Sequence, residues 1–132
     1  MERIVYLERE SIIAEVRRPT FVHEWIEYPK SLPADVESRL AEATIAIVNK
    51  VVIDAGMVSR LPKLRMVAVA ATGTNNVDLE ACRARGIVVS NIRGYAVHTV
   101  PEHAIALMLA LSRNIVAYRE SVQAGRWQQS EQ

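Results

Sequence analysis

The chain has 132 residues, half of them hydrophobic, which is enough to build one domain around a real core. Sixteen basic and fifteen acidic side chains leave a net charge of +1, interspersed in sign, so there is no electrostatic case for nucleic acid or an acidic membrane surface. One cysteine excludes an internal disulfide, and the longest apolar run, Ala104 to Leu111, is far too short to span a bilayer, so a soluble cytoplasmic protein is expected.

Arg3 to Leu7, rich in β-branched and aromatic residues, is predicted to be a first strand. Ser11 to Arg18 is predicted to be a helix stopped by Pro19. Trp25 to Tyr28 reads as a second strand, ended by Pro29. Pro33 to Ala43 is expected to be helical, because proline is tolerated in a first turn and Val36, Leu40 and Ala43 share a face. Ile45 to Val48 is a third strand, and Asp54 is placed to cap a short helix through Leu61. Met66 to Ala71 has no polar interruption, as in a parallel strand covered on both faces. Asp78 is placed to cap the next helix, with Glu80 in its first turn and Arg83 and Arg85 in its last, matching the helix dipole. Gly86 stands where a left-handed terminating residue is wanted, and Ile87 to Val89 is a fifth strand.

This alternation predicts an α/β fold: an open five-stranded parallel sheet with helices on both faces. Thr99-Val100-Pro101-Glu102 has the pattern of a capping box and is expected to open a helix running to about Tyr118. Ala104 to Leu111 is apolar nearly all round, which implies burial on more than one side. A shorter helix is expected to end at Ala124 and Gly125, and the polar tail from Gln128 to Gln132 is expected to fray.

The best candidate for chemistry is the loop Thr72-Gly73-Thr74-Asn75-Asn76, between an apolar strand and a capped helix. Such a loop offers backbone N–H groups to an anion at the carboxyl edge of a parallel sheet, and a small carboxylate is the natural guest. An ordinary turn that needs positive φ at Gly73 and Asn75 fits the same residues. Asn49-Lys50 follows the third strand and is expected on the same edge, where Lys50 either attracts an anion or is simply solvated. His23, His98 and His103 lack metal-ligand spacing, and His103 beside Glu102 reads as a structural contact. Cys82 lies inside a helix and reads as a packed thiol. The glycines at 56, 73, 86, 94 and 125 do not form a dinucleotide fingerprint.

The run Val69-Ala70-Ala71-Thr72-Gly73-Thr74-Asn75-Asn76-Val77-Asp78-Leu79, followed by Arg85-Gly86-Ile87-Val88-Val89-Ser90-Asn91 and Gly94-Tyr95, resembles the NAD-dependent D-isomer-specific 2-hydroxyacid dehydrogenases. Arg93-Gly94-Tyr95-Ala96-Val97-His98-Thr99-Val100-Pro101-Glu102-His103 narrows the resemblance toward the glycerate dehydrogenases and hydroxypyruvate reductases, and Asn49-Lys50 and Ala124-Gly125-Arg126-Trp127 agree. The family's usual aspartate after the loop is Asn75 here.

The resemblance implies a flavodoxin-like substrate-binding domain over residues 1–98. Residues 99–132 then become linker and dimerisation helices leading toward a nucleotide-binding domain. It implies that the backbone at Thr72 and Gly73 holds the substrate carboxylate, and places Thr72 and Val100 near the nicotinamide; Lys50 is the further substrate contact expected, from its place on the sheet edge. The family's catalytic arginine, glutamate and histidine would lie beyond residue 132. The chain is therefore expected to be the amino-terminal part of such an enzyme and inactive alone. NAD or NADP would serve the intact enzyme, without tight binding to this chain. A homodimer through the Thr99-to-Tyr118 helix is expected, with a small 2-hydroxy or 2-oxo acid as substrate. A non-catalytic flavodoxin-like dimerisation module is the alternative.

Overall fold

The structure, a computed structural model, describes residues 1–126. Trp127 and the tail 128–132, to which the sequence assigned a family ending and fraying, lie outside the described residues. Five strands form one parallel sheet: β1 (Glu2–Tyr6), β2 (His23–Glu27), β3 (Ile45–Val48), β4 (Met66–Val69) and β5 (Val88–Asn91). Their spatial order is β2-β1-β3-β4-β5, the doubly wound order of flavodoxin-like sheets. The helices are α1 (Pro33–Leu40), α2 (Ala55–Arg60), α3 (Leu79–Ala84), α4 (Thr99–Ser112) and α5 (Ile115–Gln123).

Alternate residues of the central strands build the core. Val5, Ala46, Val48, Val67 and Val69 are buried together with Val36 and Leu40 of α1, Val58 of α2 and Cys82 of α3. Each of the valines and leucines among them contributes roughly 1.5–3 kcal/mol. The intervening residues Ile45, Ile47, Met66 and Ala68 are only half-buried. Topology accounts for the difference. The connections carrying α1, α2 and α3 all cross the sheet in one direction, so right-handedness puts them on one face. Only the β1-to-β2 connection runs the other way.

That connection corrects the sequence expectation. Residues 11–18 form no helix; a single 3-10 turn at Arg9–Ser11 is followed by irregular chain. The guanidinium of Arg9 donates to the carbonyl oxygens of Ile12 (2.6 Å) and Ala14 (2.8 Å), claiming acceptors that a helix would need. The second helical layer is therefore not built within residues 1–93.

The two designed-looking caps behave as read. Asp54 accepts from the N–H of Met57, and Asp78 from that of Ala81. Gly86 is left-handed at φ 68° and ends α3. The carbonyls of Val58, Leu61 and Pro62 at the end of α2 accept from Arg85 just beyond α3.

Contacts divide the chain into two compact units, Met1–Arg93 and Gly94–Gln132. The buried core lies wholly in the first. In the second, α4 and α5 pack on each other and neither buries a residue fully. The capping box is not formed. The turn starts earlier, with the N–H of Val100 on the carbonyl of Ala96 and that of Glu102 on His98, so the donor that Thr99 would serve is already taken. The expected single helix to Tyr118 is also interrupted. Asn114 takes a left-handed conformation at φ 50°, which asparagine tolerates better than most residues, and α5 restarts behind it.

Candidate functional site

Parallel register brings the carboxyl ends of β1, β3 and β4 to one edge, with Tyr6 opposite Ile47 and Ile47 opposite Ala68. Strand order reverses direction between β1 and β3, the kind of switch point where open α/β sheets bind ligands. Beyond β3 the chain turns through Asn49, Lys50 and Val51; beyond β4 it turns through residues 70–78.

The two turns are stitched together. The side-chain amide of Asn76 donates to the carbonyl of Val51 (2.8 Å), the N–H of Ile53 to the carbonyl of Asn76 (2.8 Å), and the N–H of Asp78 to that of Ile53 (2.9 Å). Ile53 and Val77 form a parallel bridge. On the other side, Asn91 at the end of β5 donates to the carbonyl of Thr72 (2.6 Å). Between the turns opens a cleft of about 390 Å³, lined by Asn49, Lys50, Ala71, Gly73, Asn75 and Asn76. Lys50 is its one charged lining residue, exposed at the mouth.

The loop's backbone bears on the turn reading. Neither Gly73 nor Asn75 has positive φ, so a left-handed turn is not what the glycine is for. A Cβ at Gly73 would instead meet Asn75 Oδ1 at 3.1 Å, a close approach at the cleft wall. No group among the described residues accepts from the N–H groups of residues 72–76, whereas Val77 N–H is satisfied by the carbonyl of Thr74 (3.0 Å). A loop with successive unclaimed donors beside one lysine suits a small anion.

Lys50 and Gly73, both singled out from sequence, share this cleft. Thr72 adjoins it with its carbonyl tied to Asn91. Val100 lies in the second unit, exposed in the first turn of α4. The histidines form no metal cluster among the described residues. Cys82 is fully buried; burial, then the nearby Asp78, pushes its thiol above the ordinary value despite Arg85, so it is no ready nucleophile. Glu8 went unremarked in the sequence, and it is central. Its Oε2 accepts from three consecutive backbone N–H groups, Asn49 (2.8 Å), Lys50 (2.9 Å) and Val51 (2.9 Å). The available signal was an acid directly after the first parallel strand; its partners, more than forty residues away, were not readable.

A dinucleotide is a different guest. The turn after β3 is filled by the Glu8 carboxylate, and the turn after β4 holds a single glycine. The described residues do not by themselves fit a pyrophosphate.

Comparison with known proteins matches residues 4–129 to the profile of the D-isomer specific 2-hydroxyacid dehydrogenase catalytic domain. The chain is 48% identical over 132 residues to a glycerate dehydrogenase of Methylorubrum extorquens, covering 99% of this chain and 42% of that protein. It is 33% identical over 108 residues to a hydroxypyruvate reductase of Blautia hydrogenotrophica, covering 80% of this chain and 34% of that one. The chain thus spans less than half the length of these relatives. Among solved structures, an acyclic imino acid reductase in complex with NADPH and D-Arg superposes with a TM-score of 0.75 at 22% identity, over 93% of this chain and 41% of that one. The NAD-dependent formate dehydrogenase from Staphylococcus aureus, in complex with NAD, superposes with a TM-score of 0.67 at 21% identity, over 95% and 43%. Those two likenesses concern the fold.

Proposed function

The chain belongs to the D-isomer specific 2-hydroxyacid dehydrogenases, and on that premise we propose that it is the substrate-binding part of an oxidoreductase interconverting a glycerate-like D-2-hydroxy acid and its hydroxypyruvate-like 2-oxo acid. The observation that carries this reading is the cleft between the turns after β3 and β4, lined by Lys50 and by a loop whose N–H groups over residues 72–76 are unclaimed among the described residues. A substrate carboxylate replaces the missing acceptors, and Lys50 adds long-range attraction at the mouth. NAD(P)H, when bound in the intact enzyme, supplies the hydride. This chain's part is to fix the carboxylate end of the acid through Gly73 and its neighbours, with Thr72 contributing to the nicotinamide side.

The domain division follows the same reading: residues 1–98 form the substrate-binding domain, and 99–132 form linker and dimerisation helices. Homodimerisation through the helices that begin at Thr99 is supported by Leu107, Met108 and Leu111, which are 51%, 67% and 77% exposed.

Two measurements on the 132-residue chain test the proposal. D-glycerate titrated into ¹⁵N-labelled protein should shift the amides of Gly73 and Thr74 saturably. Hydroxypyruvate with NADH should show no catalysed loss of absorbance, because among the described residues no histidine or carboxylate lines the cleft. Absence of shifts at residues 72–76, or turnover by the pure chain, overturns the corresponding half.

A further inference from the structure

The switch point between β1 and β3, where a sheet of this order offers its ligand crevice, is already filled by a carboxylate from the chain itself. Three successive N–H groups converging on one oxygen form an anion-binding nest, and here Glu8 Oε2 accepts all three at 2.8–2.9 Å. The neighbouring bonds show what this arrangement holds. Val51, the last of the three donors, offers its carbonyl to the side chain of Asn76 (2.8 Å). Asn76 and Lys50 line the carboxylate cleft, while Glu8 lines a neighbouring cavity of about 440 Å³ with Ser31, Val36, Val51 and Met57; Lys50 borders both, so the turn that carries it is the wall between them. Glu8 therefore sits behind the cleft wall rather than in the cleft.

We infer that Glu8 is a positioning residue for the carboxylate site: by occupying the nest at residues 49–51 it fixes the wall that carries Lys50 and, through Val51 and Asn76, the loop that carries Gly73. The inference rests on the proposed carboxylate site. It has an unusual sign. Glu8 is a negative charge close to an anion site, so by Coulomb's law alone its removal would tighten anion binding. If positioning governs, its removal weakens binding, because the three donors lose their common acceptor and the wall loses its fixed shape.

The test uses the 132-residue chain, with D-glycerate as probe and amide shifts of Gly73 and Thr74 as readout. Glu8→Ala is expected to bind roughly tenfold more weakly, with faster hydrogen exchange at Asn49, Lys50 and Val51 and unchanged exchange at Val5 and Val67. Glu8→Gln keeps an acceptor oxygen but makes weaker bonds without the charge, so it is expected to lose only about two- to threefold. The Gln variant also decides the matter if the Ala variant does not fold. Tighter binding by Glu8→Gln, or Glu8→Ala affinity equal to the parent's, overturns the inference while leaving the carboxylate site standing. No glycerate-dependent shift in the parent chain removes the site itself, and this role of Glu8 with it.

Discussion

At the scale of single residues, Gly73 makes the sharpest case. Its φ is not left-handed, so other residues can adopt its backbone without strain. An added Cβ approaches one exposed side chain, Asn75, which can give by a few tenths of an ångström. Gly73→Val should therefore leave the melting temperature within a few degrees of the parent while narrowing the cleft enough to abolish the glycerate-induced shifts. A variant that binds glycerate normally removes Gly73 from the site. Acid sensitivity has its own residues. The Arg65 guanidinium, followed by the Thr44 hydroxyl, holds the Glu2 carboxyl below its ordinary value, and Lys63 does the same for Glu42. A depressed carboxylate adds stability that is complete above its unfolded value and is lost as pH falls through the folded one. The melting temperature should thus hold from neutral pH and fall below about pH 4. Glu2→Gln should flatten part of that fall, and added salt should shrink the difference because these pairs are exposed. An unchanged acid slope in the Gln variant contradicts the assignment.

At the scale of elements, α4 carries the test of assembly. A helix turns about 100° per residue, so the apolar run from Ala104 to Leu111 presents side chains all round it. Leu107 and Leu111 also line an open apolar cleft of about 330 Å³ with Ala110, Val116 and Ala117. Leu111→Asp should convert a dimer at micromolar concentration into monomer, with the sheet's circular dichroism retained. A parent chain that scatters as a clean monomer contradicts the dimer. These elements also mark where sequence reading succeeds. β3 and the helices behind Asp54 and Asp78 were legible because an apolar run, a capping acid and a proline or glycine stop lie within a few residues of one another. Residues 11–18 failed because a side chain outside the segment, Arg9, takes its carbonyls. The Thr99 box failed because the preceding turn had already paired its donors. The cleft was half legible: Lys50 and the Gly73 loop stand beside apolar strands, whereas Glu8 and Asn76 act on partners far along the chain.

At the scale of the whole molecule, every buried core residue among the described residues precedes Arg93. A shortened chain of residues 1–93 should therefore fold alone, with a cooperative melt and protected amides in β1, β3 and β4. A broad, non-cooperative melt shows that the second unit is required. The Glu8 contact bears on when the site comes into being. Its three bonds join residues 41, 42 and 43 positions apart, across a strand that is first in the chain yet interior in the sheet. Contacts of such long sequence separation form late and slowly, because loop closure must be met before they are rewarded. A chain that has not closed this contact lacks the acceptor that fixes the wall opposite the Gly73 loop. A carboxylate that fits the finished cleft distinguishes the completed sheet from its precursors, and by mass action it draws the population toward that state.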